Sequence, residues 1–281
     1  MENDTAATIH EGPYGELVRT TTSVLSWNLW WRFGPWEARQ PAIEATIAAL
    51  DPDLVALQEV WDDGTTNQAA HLAERLGYHH VYASRLENDG VMFGNAVLSR
   101  WRITDHEWRP LPAPEDLDES RTVLRADVDG PRGPIQVFCT HLNWRFDQSH
   151  VRQDQVRAIA RFVKESPERS FPPVLCGDFN ADPESDEIRM LTGRTTVPES
   201  KLVFHDAWEA GGDGGEGITW SNDNPYAAAD LEVDRRIDYV FVGWPKVGGR
   251  GHVVACSVEG TEPVDGVVAS DHYAVLSTLR Y

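Results

Sequence analysis

Polar side chains that could bind a metal ion or move a proton stand at the ends of several apolar, strand-like segments. Asn28 follows the run SVLSW, Glu59 follows LVALQ, and His141 follows IQVFCT. Asp178 and Asn180 come at the end of the run PVLCG. Because neighbouring antiparallel strands end and begin at a common edge, these side chains can meet at one rim of a sheet.

Two further segments carry their polar residues at the beginning instead of the end. Asp238 opens the run IDYVFV, and Asp271 and His272 precede YAVLSTL. Carboxylate and amide oxygens are the ligands that Mg²⁺ or Mn²⁺ prefers, and these ions bind phosphate oxygens. A carboxylate beside a histidine is a general-base arrangement in hydrolysis. The set therefore predicts a hydrolytic site that uses Mg²⁺ or Mn²⁺ as its cofactor.

Motifs of other enzyme classes are missing from the sequence. It contains no GxxxxGK[ST] loop, no GxSxG elbow and no HExxH helix, which argues against P-loop enzymes, common serine hydrolases and zinc proteases. Its three cysteines, Cys139, Cys176 and Cys256, lie within apolar runs without CxxC spacing. A disulfide scaffold or a structural zinc site is therefore not expected, and neither is thiol catalysis by Cys139 or Cys176.

Charge limits the kind of partner. The 281 residues include 25 Lys and Arg against 45 Asp and Glu, for a net charge of −20. This charge argues against binding of nucleic acid through a broad basic surface, but it allows a local site where a bound cation holds the phosphate. The polar N-terminus has no signal-peptide pattern and no apolar run is long enough to cross a membrane, so a cytoplasmic protein is expected.

Secondary-structure patterns predict strands and helices that alternate without an obvious linker. Amphipathic spacing predicts helices over 36–50, 71–76 and 151–163. Strand-like runs occur at 23–27, 54–57, 91–99, 122–128, 135–140, 173–176, 237–242, 252–258 and 273–279. Hairpins mixed with strand–helix units predict two packed sheets flanked by helices. Residues 1–20 are expected to form a poorly ordered arm and residues 21–281 a single catalytic domain.

Taken together, the motifs resemble the endonuclease/exonuclease/phosphatase superfamily, which has the deoxyribonuclease-I-like fold. The resemblance covers about Ser23 to Leu279 and rests on SWNLW, LQEVW, GNAVLSR, THLNW, GDFNADPES, RRIDYVF and SDHYAVL in the family's order. It implies an α/β (α+β) fold, a four-layer α/β/β/α sandwich of two packed mixed sheets flanked by helices. It also implies metal-dependent hydrolysis of phosphoester bonds, as in a general bacterial member of the family.

Metal and base positions follow from the resemblance. Asn28, Glu59 and Asp271 resemble the family's metal ligands. His272 resembles the base, with Asp238 as the carboxylate that orients it. Asp178 could be the base instead of His272, and the sequence does not decide between them.

The resemblance also implies which residues contact the phosphate of the substrate. Asp178 and Asn180 resemble the pair that orients the nucleophile and the phosphate, and His141 resembles a donor to a phosphoryl oxygen. Arg121 and Asn143 are expected to contact the phosphate of the substrate.

The substrate stays open at the level of sequence. The first hypothesis is a nuclease-like phosphodiesterase that acts on DNA or RNA, single-stranded or short. The alternative is a phosphatase or a sphingomyelinase-type hydrolase of small or lipid phosphoesters, and a non-catalytic binding module is the least favoured. No protein partner is evident. Several tryptophans close to the candidate residues could stack on bases or cover a lipid: Trp27, Trp30, Trp31, Trp36 and Trp144.

Overall fold

A computed structural model describes residues 12–114 and 119–281. The strands are β1 Thr21–Asn28, β2 Leu54–Asp62, β3 His79–Asn88, β4 Val91–Ser99, β5 Ile103–Pro110, β6 Thr122–Gly130, β7 Gly133–His141, β8 Val174–Asp178, β9 Phe204–Asp206, β10 Asp238–Gly243, β11 Val253–Glu259 and β12 Ala274–Arg280. The α-helices are α1 Trp36–Leu50, α2 Gln68–Leu76, α3 Ser149–Glu165, α4 Asp186–Leu191 and α5 Ala207–Gly211, and 3₁₀ turns cover Phe146–Gln148, Ala227–Asp230 and Val247–Gly249.

The strands form two six-stranded sheets of related design. The first sheet has the order β11-β12-β1-β2-β4-β3 and the second has the order β5-β6-β7-β8-β10-β9. Each sheet is mixed, because β1 and β2 pair in parallel in one, β7 and β8 do so in the other, and the remaining neighbours are antiparallel.

Alternate side chains along each strand point to opposite faces of its sheet, and each face packs against a different layer. Val24 of β1 and Val137 of β7 belong to the core between the two sheets. Their neighbours Leu25 and Phe138 point to the opposite faces, where Leu25 packs in a cluster with α1 and α2, and Phe138 in one with α3 and α4. This confirms the predicted four-layer α/β/β/α sandwich.

Strand direction brings the candidate residues to one edge. The carboxyl ends of parallel β1 and β2 lie at the same edge as the start of β12, which is antiparallel to β1. In the second sheet, His141 is in register with Asp178, and Asp178 with Asp238. The sequence analysis predicted this convergence from the order of apolar and polar residues.

Three strands, β3, β5 and β9, do not appear among the predicted elements. β3 and β5 are edge strands of their sheets with mostly exposed or half-buried residues, and β9 spans only Phe204–Asp206. A solvent-facing edge strand needs no apolar run, so the sequence carries little signal for it. The short helices α4 and α5 were likewise not predicted.

The predicted N-terminal arm, residues 1–20, is described only in part, because residues 1–11 lie outside the described residues. Val18 N donates to Gly248 O at 2.9 Å, and Tyr281 N donates to Thr20 O at 2.7 Å. The segment from Tyr14 to Thr20 is thus attached to the C-terminal part of the chain by backbone hydrogen bonds, which differs from the loose arm that was expected. Among the described residues, none of the helices combines the length and apolar character needed to cross a lipid bilayer.

Cys139 and Cys176 face each other across β7 and β8 within the core between the sheets, fully shielded from solvent. Burial raises the pKa of the Cys139 thiol to about 12 and that of Cys176 well above its usual value, so neither offers a thiolate. We expect Cys139→Ala and Cys176→Ala to retain turnover while each lowers the free energy of unfolding by about 1–2 kcal/mol. Loss of activity in a double variant that still melts cooperatively would contradict this.

Candidate active site

A bulge in β2 turns Glu59 into the cleft. The register of β2 against β4 shifts between Leu57 and Val60, and Glu59 adopts a left-handed backbone with φ of 55°. Such bulges re-aim a side chain, and here Gln58 points into the core while Glu59 faces the site. Asn28 Nδ2 donates to Glu59 Oε1 at 3.1 Å and to Asp178 Oδ2 at 3.0 Å, so Asn28 links carboxylates from both sheets.

Two neighbouring carboxylates line the cleft, of which Asp271 is buried and Glu59 is half-buried. Among the described residues, the only salt-bridge partner of either is His141, at 3.9 Å from Glu59. Burial, together with the charge of Glu59, raises the pKa of Asp271 to about 8, and burial raises the pKa of Glu59 as well. Glu59 Oε2 is buried without a hydrogen-bond partner. Two like charges and an unpartnered oxygen are the donor set that a divalent cation would neutralise, so these residues fit Mg²⁺ or Mn²⁺.

His272 stands between two aspartates. Its Nδ1 lies 2.8 Å from Asp238 Oδ2, and its Nε2 lies 3.7 Å from Asp178 Oδ2. Asp271 and His272 both precede β12 in a bend, which allows neighbouring side chains to serve one site. One ligand-type atom from each of Asp178, Asp238 and His272 lies within 4.8 Å of the others.

Charges around His272 favour its protonated form. Burial by itself lowers the pKa of His272, but the carboxylates of Asp238, Asp271 and Asp178 raise it well above the usual value. Burial, reinforced by the charge of Asp238, raises the pKa of Asp178 to about 7. Asp178 and His272 are thus coupled, so that the protonation of one depends on the charge of the other.

Donor groups lie against both ring nitrogens of His141. Arg121 Nη1 lies 3.0 Å from His141 Nδ1, and Asn180 Nδ2 lies 3.1 Å from His141 Nε2. Nε2 also lies 3.4 Å from Asp178 Oδ2. Burial, with Arg121 and His272 nearby, lowers the pKa of His141 well below its usual value. The neutral imidazole of His141 is therefore favoured, and it lines the cleft.

The two asparagines that the sequence singled out near the phosphate take different positions. Asn180 has a left-handed backbone and lines the cleft, with Nδ2 3.1 Å from His141 Nε2. Asn143 is fully buried instead: its Nδ2 donates to Gln148 Oε1 at 3.1 Å, and its Oδ1 accepts from Gln155 Nε2 at 2.6 Å. Since both ends of this amide are engaged in the interior, the expected phosphate contact of Asn143 is not supported, and the residue supports the loop that follows β7.

Two supporting residues escaped the sequence analysis. Arg39 of α1 is fully buried, and its guanidinium donates to the carbonyl oxygens of Leu29, Trp30, Trp31, Phe33 and Ala269. It lies one turn before Ile43 on the buried face of α1, and a charged residue in that position was the available signal. Asn224 Nδ2 donates to Ser270 O at 2.8 Å and Asp271 O at 3.0 Å, which holds the segment that carries the last metal and base positions.

The cleft has a volume of about 570 Å³ and walls of mixed character. Arg235 was also missed, and it lines the cleft with Nη2 donating to Asn180 O at 3.1 Å and Nε 3.2 Å from Asp182 Oδ2. The ring of Trp220 meets His272 edge-on at 4.9 Å. Asp230 and Glu232 line one wall, and the full lining set is Trp30, Phe33, Glu59, Phe93, Arg121, His141, Trp144, Asp178, Asn180, Trp220, Asp230, Glu232, Arg235, Ile237, Asp271 and His272.

A two-sheet sandwich with buried carboxylates and histidines at one shared edge defines a hydrolase-type site. The model of the Endonuclease/Exonuclease/phosphatase family matches residues 25–272. The chain therefore belongs to this family, whose members are hydrolases acting on phosphoester bonds, and the predicted resemblance is confirmed.

Relatives and solved structures agree with this membership. Protein angel of Drosophila melanogaster is 26% identical over 213 residues, which are 70% of this chain and 58% of that protein. A solved endonuclease/exonuclease/phosphatase from Beutenbergia cavernae is 27% identical with a TM-score of 0.72, covering 93% of this chain and 72% of that one. D. rerio TDP2 in complex with a single-strand DNA product has the same fold, with a TM-score of 0.74 at 21% identity over 93% of this chain and 100% of that one. The chain thus spans under two thirds of Protein angel.

Proposed function

We propose that the protein hydrolyses phosphodiester bonds by attack of water with the help of Mg²⁺ or Mn²⁺, as a nuclease-like enzyme. The observation that carries this proposal is the placement of the Asp238–His272–Asp178 chain beside the pair of Glu59 and Asp271 in one cleft. A proton acceptor and a site for a divalent cation are the two components that such hydrolysis needs.

Each residue has a separate task in this proposal. Glu59 and Asp271 would hold the ion, and when bound it supplies charge neutralisation for the phosphoryl group. Asn28, predicted as a third ligand, would instead orient Glu59 through Nδ2, because its Oδ1 accepts from Trp30 N at 2.9 Å. Asp178 and His272 take the proton of the attacking water as a pair, and Asp238 holds the imidazole in place through Nδ1. His141, Arg121 and Asn180 face the position where negative charge develops on the phosphoryl oxygens.

Relatives support a diester as the substrate. The structural neighbour TDP2 has been solved with a single-strand DNA product. Two exposed aromatic side chains, Phe33 and Trp144, line the cleft and offer surface to the part of a diester beyond the phosphate. Hydrolysis of phosphomonoesters or of lipid phosphodiesters remains the alternative that the experiment must separate.

A substrate panel tests the proposal. We expect hydrolysis of bis-p-nitrophenyl phosphate and of a single-stranded oligonucleotide with Mg²⁺ or Mn²⁺, and its abolition by EDTA. p-Nitrophenyl phosphate and sphingomyelin should be turned over at least about tenfold more slowly, a difference of about 1.4 kcal/mol in transition-state binding. Activity that resists EDTA would contradict the mechanism, and a preference for the monoester or for sphingomyelin would favour the alternative.

A further inference from the structure

Two aromatic side chains are exposed on the loop between β7 and α3, next to the cleft. Trp144 is 49% exposed and lines the cleft, and Phe146 is 58% exposed two residues further on. Their apolar surfaces are left partly in contact with water, which disfavours the unbound state relative to a state in which a ligand covers them. We refer to Trp144 and Phe146 together as the aromatic platform.

A buried polar network holds the loop in this shape. Arg152 of α3 is 4% exposed and donates from Nη1 to Asn143 O at 3.1 Å and to Arg145 O at 2.7 Å. Arg152 Nε donates to the buried carboxylate of Glu187 at 2.6 Å. Gln155 holds the other end, because its Oε1 accepts from Asn143 N at 3.1 Å. The backbone beneath the platform is therefore fixed from inside the protein, and the two rings are presented outward in a set position.

Each ring of the platform is paired with a guanidinium group. Arg145 lies over the Trp144 ring at 5.2 Å from its centroid, and Arg235 lies over the Phe146 ring at 4.6 Å. Arg235 also lines the cleft, as do Asp230 and Glu232. Both guanidinium groups have acidic neighbours: Arg145 Nε lies 3.4 Å from Glu119 Oε1, and Arg235 lies 3.2 Å from Asp182 Oδ2 and 3.9 Å from Glu232 Oε2.

From these contacts we propose that the aromatic platform stacks the bases of a single-stranded nucleic acid next to the phosphate that is cleaved, an inference that rests on the proposed function. Alternating rings and guanidinium groups match a chain in which flat bases alternate with phosphates. The guanidinium groups beside the two rings favour a polyanion that carries flat bases over an uncharged lipid chain.

An abasic oligonucleotide isolates the contribution of the bases. We compare a single-stranded thymidine oligonucleotide with an abasic strand of equal length and charge, by kcat/KM and by fluorescence anisotropy in EDTA. Wild-type protein should prefer the base-bearing strand, and Trp144→Ala and Phe146→Ala should each reduce that preference about 5- to 100-fold, as expected for one lost stacking contact. The loss should appear in KM and not in kcat, and Trp144→Phe should restore most of the preference.

Trp244 offers a matched control, because it is 60% exposed and does not line the cleft. Trp244→Ala should leave the preference unchanged. Equal use of both strands by the wild type, or an unaltered preference in Trp144→Ala and Phe146→Ala, would overturn the platform. A loss confined to sphingomyelin vesicles would overturn it in favour of a lipid. Absence of all metal-dependent hydrolysis would instead refute the proposed function, whereas anisotropy would still report on stacking.

Discussion

Replacement of His272 by alanine should lower kcat by roughly 10²–10⁴-fold, the usual contribution of general acid–base catalysis. The imidazole lies between two aspartates, and among the described residues no other titratable side chain forms a hydrogen bond with Asp238. Steady-state rates with bis-p-nitrophenyl phosphate at saturating Mg²⁺ measure this loss. His106→Ala is the matched control, because His106 is exposed on β5 and should keep full activity.

A double-mutant comparison tests whether Asp238 and His272 act as one unit. Asp238→Asn should cost a similar or smaller factor than His272→Ala, because an amide can still face Nδ1 but does not carry the charge that stabilises an imidazolium. The double variant should lose less than the product of the two single losses. Multiplicative losses in proteins that still melt cooperatively would show that the two residues act independently. That result would contradict a functional role for the 2.8 Å contact between His272 Nδ1 and Asp238 Oδ2.

Replacement of Glu59 by glutamine should raise the Mg²⁺ concentration for half-maximal activity by roughly 10- to 100-fold or more, the range seen when a metal site loses support. Glutamine keeps the oxygen that accepts from Asn28 and removes only the charge that faces Asp271. Metal titrations of activity, and calorimetry with Mn²⁺ in the absence of substrate, measure the change. Because one of two buried like charges is removed, the metal-free variant should melt no lower than the metal-free wild type.

Glu232→Gln separates ligation from general electrostatics. Glu232 lines the same cleft, so this variant removes an equal charge from the rim without touching Glu59 or Asp271. It should shift the Mg²⁺ midpoint by less than about threefold, because a rim charge in contact with water is screened. Equal shifts in Glu59→Gln and Glu232→Gln would contradict the assignment of Glu59 as a ligand.

Much of the fold followed from the sequence because buried strands and amphipathic helices carry strong patterns. The predicted helix over 36–50 has the same bounds as α1, and the predicted strand over 91–99 has the same bounds as β4. The edge strands β3 and β5 were missed because their residues face solvent on most positions. Polar residues at the ends of apolar runs identified the cleft, since strand direction alone determines which ends share an edge.

Contacts within the site depend on tertiary structure. The sequence predicted that Asn143, like Arg121, contacts the phosphate. Only the packing of its loop against α3 shows that both ends of the Asn143 amide are hydrogen-bonded to Gln148 and Gln155. Arg39 and Arg235 were missed because their partners are backbone carbonyl groups and distant side chains, which leave no trace in local spacing.

Residue types therefore determined the chemistry available to this protein: hard oxygen donors, two histidines and a carboxylate to orient one of them. Tertiary structure decided that His141 is buried between Arg121 and Asn180, with a donor group against each ring nitrogen. It also decided that Glu59 faces the cleft, because β2 has a bulge at this position. The left-handed backbone of Glu59, with φ of 55°, could not be predicted from the residue type. The physical reason is that side-chain identity is local, whereas burial, charge and hydrogen-bond geometry are set by residues far apart in the chain.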